Sequence, residues 1–378
     1  MAYKRQPVTQ VRSGERLMNS RQLLKRILIF AAILLLIPAL ATVAVDPFFH
    51  YHAPVRPLKA VLTEKEYQCV GSLRTFDYDA VIAGSSVSEN YDNAWFDETF
   101  GCTSIKAIRS YGATADLCFL LNEAYSSGND IRHVFYNLDP SAFMSDTKTT
   151  FEQTGCPMYL YDHNPFNDVQ YLWNKDVLFE RIPYMLAKSL MEDYDEGLSY
   201  NWAQWKEFNL DMCTGMYLRH PDILPMKPAE EYKETAYSNT AMIELLVREH
   251  PETTFHIYMP PYSMLWWDNA YREGDTLGYL YATKHCMETL IPYENVRFYY
   301  FMDDEAVILN LEENYMDTIH FSPDIHRYIC DCLADDEDPH RVRLEDIDGR
   351  IAHMSTLADR ITDELMAPYI PIIREGTD

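Results

Sequence analysis

Positions 27–45 (ILIFAAILLLIPALATVAV) form a run of 19 residues without a charge. A helix crossing about 30 Å of hydrocarbon needs about 20 such residues, so the run predicts a membrane-spanning helix, and Pro38 is tolerable inside it. Beyond it the pattern changes to short apolar runs bounded by turn residues: 78–84 (YDAVIAG among them), 103–109, 133–139, 253–259 and 296–301. Each reads as a strand buried on both faces. Helical spacing and length appear at 113–126, 237–250 and 270–291. Strand–helix alternation of this kind predicts an α/β domain whose parallel sheet is covered by helices. Residues 145–235 interrupt the alternation with a Tyr-, Trp-, Asn- and Asp-rich stretch of weak periodicity, read as a long insertion rather than a second domain. After the acidic break at 335–339, Leu344, Ile347, Ile351, Met354, Ala358, Ile361 and Leu365 recur at helical spacing. They predict an amphipathic helix over 340–367, packed back on its own domain or forming a dimer seam.

Charge gives the apolar run a direction. Residues 1–45 hold Lys4, Arg5, Arg12, Arg16, Arg21, Lys25 and Arg26 against Glu15 alone, whereas the whole chain of 378 residues has a net charge of −26. A long basic segment before a long apolar one favours an uncleaved signal anchor over a cleaved signal peptide, although an A-x-A-like exit exists at Ala39–Ala41. The expectation is a single-pass protein of the cell membrane with residues 1–26 in the cytoplasm and an acidic extracytoplasmic domain over 46–334. The strongly acidic balance argues against nucleic acid as a partner. The eight cysteines define no disulfide framework, and no bridge is predicted.

Candidate chemistry gathers at the ends of the strands. The first strand runs into Gly84-Ser85-Ser86, which puts a hydroxyl where open α/β sheets bind ligands. After the last strand, Asp317 precedes His320 by three residues, a spacing at which a carboxylate can hold an imidazole in one tautomer. Pro323 then opens a final helix. Ser110-Tyr111-Gly112 follows the second strand, so the three segments share one edge of the sheet. Tyr262, Trp266 and Trp267 follow the fourth strand and are read as rings able to stack on sugars. Asp317, His320, Asp324, His326, His50 and His52 form no firm metal-ligand pattern, so no metal is assigned. The absence of a P-loop and of G-x-G-x-x-G leaves nucleotide cofactors unsupported, and no cofactor is expected.

In these blocks, ordered over 46–333, the chain resembles the SGNH/GDSL hydrolase superfamily, in particular its membrane-anchored bacterial members of the teichoic-acid D-alanylation and alginate-acetylation type. The Asp46-Pro47-Phe48-Phe49-His50-Tyr51-His52 segment, Asn164-Pro165-Phe166-Asn167-Asp168 and Pro260-Pro261-Tyr262-Ser263 look like an anchored subset. The resemblance implies a three-layer α/β/α sandwich on a five-stranded parallel sheet, of SGNH-hydrolase/flavodoxin-like type. It implies Ser86 as nucleophile, His320 as general base, Asp317 as its orienting partner and Gly112 as an oxyanion-hole amide. The family's G-x-N-D block is replaced by Tyr136-Asn137-Leu138-Asp139, with Asn137 as the substitute oxyanion donor. The activity implied is that of a serine esterase or acyltransferase acting on O-acyl groups of a cell-surface polysaccharide or teichoic acid. The departure in the third block also motivates an alternative, an inactive accessory protein that binds such a polymer or a membrane acyltransferase.

Overall fold

The computed structural model describes residues 20–375; Lys4, Arg5, Arg12 and Arg16 lie outside the described residues. Five strands form one all-parallel sheet: β1 (Ala80–Gly84), β2 (Ser104–Ile108), β3 (His133–Asn137), β4 (Thr254–Met259) and β5 (Val296–Tyr300), in the order β2-β1-β3-β4-β5. β1, Ala-Val-Ile-Ala-Gly, is buried throughout, as expected for a central strand with helices packed over the sheet. Because all strands point one way, their carboxyl ends share one edge. The chain leaves β1 for β2 on one side and crosses back to β3 on the other, which opens a crevice between β1 and β3 at that edge. Gly84 ends β1 there. A Cβ at this position would stand 2.8 Å from Asn137 Cβ and against the Ser88 hydroxyl, so only glycine fits.

Lys65–Thr75 and Thr114–Ser126 pack on β2 and on each other, and Lys233–Glu249 packs on Thr114–Ser126 and on Thr276–Leu290. Asn93–Phe100 packs on β2 and on Pro323–Leu333. The single helix predicted over 270–291 is instead two, Met264–Arg272 and Thr276–Leu290. The chain breaks between them at Gly274, which takes φ +76°. The C-terminal pattern folds as Ile347–Arg360 with a π-turn over Ile361–Leu365. Its Ile347, Met354, Leu357, Ala358 and Ile361 are buried, and it packs on Thr276–Leu290. The apolar stripe therefore faces its own domain.

The insertion 145–235 contributes turns and short helices whose Phe151, Leu160, Tyr171, Val177, Ile182, Cys213 and Tyr217 enter the same core as the sheet. Lys106, on β2 and buried, extends its Nζ to the Glu89 carbonyl (2.8 Å) and to the Ser199 carbonyl of the insertion (2.5 Å). Burial pulls this ammonium down to about 7, against the pull of Asp92 and Glu89 in the other direction. All eight cysteines carry free thiols, seven of them buried.

Among the described residues one helix, Ser20–Val45, is long and apolar enough to cross a membrane, and its side chains are almost wholly uncovered by the rest of the chain. Its exit is tied in a knot around the buried Asp46. Oδ1 accepts the His50 N–H (3.0 Å) and the Tyr171 hydroxyl (2.7 Å); Oδ2 accepts the Tyr51 and His52 N–H groups (2.7 and 2.9 Å). Asp46 and Phe49 both take positive φ (46° and 57°), backbone conformations that persist only where the surroundings fix them. His50 and Tyr51 in turn reach Asp168 of the insertion.

Candidate active site

β1 runs into Ser85 and Ser86 and then a single 3-10 turn, Ser88–Asn90. Ser85 does not face open space: its hydroxyl donates to Asp139 Oδ2 (3.0 Å). Asp139 also caps the short helix Pro140–Phe143 and accepts the Tyr262 hydroxyl, so the segment after β3 is pinned to the turn after β1. Ser86, half-buried, puts Oγ 2.9 Å from His320 Nε2. His320 Nδ1 lies 2.7 Å from Asp317 Oδ2, while Asp317 Oδ1 accepts the N–H groups of Ile319 (2.9 Å) and His320 (2.7 Å).

The electrostatics follow from these contacts. Burial raises the Asp317 carboxyl, but the hydrogen bond and charge of His320 and the two backbone donors outweigh it and hold the group below its ordinary value. An ionised Asp317 accepts at Nδ1, which places the imidazole proton there and leaves Nε2 free to accept from Ser86. The loop is braced from outside. Tyr315 and Phe321 bridge antiparallel, Met316 N–H donates to the His320 carbonyl (3.1 Å), and the Ser263 hydroxyl and N–H both reach the Thr318 carbonyl (2.8 and 3.1 Å). His326, on Pro323–Leu333, stands between the Val87 and Ser322 carbonyls at 2.9 Å each, which joins the helix after the histidine to the turn after the serine. Its burial pushes the imidazole down to about 4.

The other expected site residues divide. Gly112 N–H is already donated to the Arg109 carbonyl (3.0 Å), closing a turn, and a Cβ there would stand 2.7 Å from Arg109 Cβ. Its amide is therefore committed locally rather than offered to an oxyanion. Asn137 is fully buried at the end of β3 beside Gly84, and neither atom of its amide has a hydrogen-bond partner among the described residues. No hydrogen bond engages the Ser86 N–H among the described residues. Tyr262, Trp266 and Trp267 are 0%, 9% and 2% exposed, so they offer no face to a sugar. The correction has a simple cause: Tyr262 is held inward by its bond to Asp139, and Met264–Arg272 turns the two indoles inward, where Trp266 packs edge-on against Tyr262, Trp267 and Tyr279. His50 and His52 follow the Ser20–Val45 helix, His50 bonded to Asp168 and His52 to the Val43 and Ala53 carbonyls, and do not join the His320 cluster. Cys332, Asp338 and His340 form a grouping close enough to share a cation, but His340 Nδ1 is bonded to Asp338 (2.7 Å) and its Nε2 to Asp304 (3.1 Å).

The insertion supplies a residue that the sequence did not single out. Trp202 stands edge-on to His320, ring centroids 5.0 Å apart. It is held by Asn90 of the turn after the serine. Asn90 Oδ1 accepts the Trp202 and Ala203 N–H groups (3.2 and 3.0 Å), and the Asn90 carbonyl accepts the Asn201 side chain (2.9 Å). A cavity of about 710 Å³ meets this site through Trp202; Glu89, Tyr184, Tyr194 and Trp205 also line it, and Ser86, Asp317 and His320 do not. Glu89 anchors its wall through Lys65 (2.8 Å) and the Ser110 hydroxyl (2.6 Å). A smaller hollow of about 340 Å³ lies at the amino ends of β1 and β2, by Tyr78 and Thr103, away from the triad. The arrangement can activate a serine hydroxyl beside a cleft of aromatic and charged walls.

No family model, no curated protein and no solved structure matches the chain.

Proposed function

We propose that the chain is a membrane-anchored serine esterase or acyltransferase of SGNH type, built as a three-layer α/β/α sandwich, with its domain on the outer side of the membrane. The observation that carries the reading is the unbroken relay from Ser86 Oγ through His320 to Asp317, at 2.9 and 2.7 Å, beside an aromatic-walled cavity. In the reaction Ser86 Oγ attacks an ester carbonyl carbon while His320 Nε2 takes its proton. The tetrahedral oxyanion is met by the Ser86 N–H and, with a small rotation of its side chain, by the Asn137 amide. Collapse breaks the ester bond, and His320 returns the proton to the departing alkoxide, leaving Ser86 acylated. Water or a second hydroxyl then releases the acyl group by the same steps in reverse.

The substrate class follows from location and lining. An apolar helix before the domain keeps the site near a bilayer, and Tyr194, Trp202 and Trp205 give the cavity faces of the kind that sugars stack on. O-acyl groups of a surface glycan or teichoic acid fit both. One observation favours a second reading, an accessory subunit that binds such a polymer or a membrane acyltransferase: the Gly112 amide is spent within its own turn.

A fluorophosphonate probe with peptide mapping separates the two. Label on Ser86 is expected, absent in Ser86→Ala and His320→Ala, and slowed by about 10²–10⁴-fold in Asp317→Asn. Turnover of an acylated glycan that persists in Ser86→Ala would sink the catalytic reading. An inert wild type that still binds the glycan would establish the accessory one.

A further inference from the structure

The insertion carries an apolar stripe on the outside of the molecule. Val177–Arg181 and Ile182–Ser189 run on as one helical segment. Its inner side sends Val177, Ile182 and Met185 into the protein. Its outer side presents Phe179, Pro183, Leu186 and Leu190, spaced four, three and four residues apart, with Phe179 78%, Leu186 42% and Leu190 85% exposed. A helix that buries one apolar side and exposes another has a use for the second.

The same segment is fastened to the membrane helix. The Thr42 hydroxyl donates to the Leu172 carbonyl (3.2 Å), the Trp173 indole N–H donates to the Leu35 carbonyl (2.8 Å), and Val177–Arg181 packs on Ser20–Val45. Leu35 lies ten residues before the end of that helix, about 15 Å along its axis. The nearest charged side chain on the other side, Arg26, is nine residues away, so no placement of the apolar run in a bilayer leaves Leu35 in water. The contact also has a local cause. Pro38 lacks the N–H that would bond the Leu34 carbonyl, and its ring disturbs the turn around it, which leaves neighbouring carbonyls in need of an outside donor. Trp173 supplies one.

We infer that the segment from Trp173 to Leu190 is a second membrane-contacting element, seated in the leaflet on the domain's side with its Phe179–Leu190 stripe against lipid. The inference rests on the anchored reading above and adds to it. The charges of the segment agree with headgroup depth: Arg181 is tied to Glu64 (2.6 Å), Lys188 lies over the Tyr184 and Tyr194 rings, and Lys175 pairs with Asp176 (3.0 Å). Glu180 is exposed, so the segment rises from Trp173, at the depth of Leu35, to a helix whose charged side lies at the level of the headgroups. Tyr184 and Lys188 also line the cavity beside Trp202, so this element brings that cavity to the bilayer surface.

The test uses the full chain in phosphatidylcholine–phosphatidylglycerol vesicles containing a phosphatidylcholine with a diazirine on its acyl chain. After irradiation, adducts are mapped by peptide mass. Adducts are expected both in 27–45 and in 173–190. In Phe179→Ser/Leu186→Ser/Leu190→Ser, the second set should fall several-fold and the first remain, with an unchanged thermal transition showing that these exposed positions do not unfold the domain. Adducts confined to 27–45 overturn the inference and leave the anchor standing. Absence from 27–45 as well overturns the anchor and the inference with it. Pairs of chains joined through Lys175 or Lys188 by a bifunctional amine cross-linker in a parallel sample, without lipid adducts in 173–190, overturn it in favour of contact between copies.

Discussion

Asn137 is the residue on which catalysis and stability make opposite demands. A buried amide with no partner costs about 1–3 kcal/mol, so a purely structural Asn137 would be a defect that substitution relieves. An amide held in reserve for a developing oxyanion would instead be worth about 10²–10³ in rate. Asn137→Ala is therefore expected to raise the unfolding midpoint while lowering kcat with little change in KM; a stabler protein with unaltered kcat would remove Asn137 from the reaction. Ser86, Asp317 and His320 were legible in the sequence because each follows a strand, where chain order alone puts it at the shared edge. Trp202 was not, since nothing in its own neighbourhood reports that Asn90 holds it in place. The Tyr262, Trp266 and Trp267 reading failed because position after a strand does not say which way a ring points: Trp266 and Trp267 stand on a helix that faces them inward, and Tyr262 is buried against Asp139.

Among elements, the five strands could be read to within a residue or two, because burial leaves short, mostly apolar runs between turn residues even where Lys106, His256 or Arg297 interrupts them. The break at Gly274 could not, since helical residues flank it on both sides. The segment that leads into the C-terminal helix is held by a clasp with its own pH signature. His340 sits between Asp304 and Asp338, and although burial lowers its affinity for a proton, the two carboxylates outweigh it and raise the imidazole above 6.5. Asp304 moves the other way: burial raises it, the bond to His340 lowers it more, and it ends below 3.8. The imidazolium contributes fully below pH about 6.5 and fades as pH rises through its folded value, whereas the carboxylate contributes above about 3.8 and fades as pH falls through its own. Wild type should thus exceed His340→Gln in stability most between those limits, by about 1–3 kcal/mol, with the gap closing on the alkaline side. Urea unfolding at pH 5 and pH 9 checks this, and a gap that widens at pH 9 would refute the clasp.

For the molecule as a whole, the insertion supplies Trp202 and most of the cavity wall, and it was the part least readable beforehand: short helices with scattered rings show no period until they are docked. Lys106 joins it to the sheet from inside. Its native ammonium loses a proton near pH 7 while the unfolded one holds it to about 10.5, so the unfolded chain binds more protons in between and stability rises with pH there. Relative to Lys106→Met, wild type should gain up to about 1.4 kcal/mol per pH unit from pH 7 to pH 10. A difference independent of pH would mean that this amine keeps its proton inside the fold. The Asp46 knot has a consequence of another kind. Three backbone N–H groups and a tyrosine hydroxyl closed on one carboxylate make the junction a mounting and not a leash. A leashed enzyme sweeps a hemisphere and meets whatever drifts into it. On the proposed reading, a mounted enzyme patrols a single stratum at constant altitude, so the stature of a polymer above the bilayer, and not its abundance, would decide which of its groups are ever met.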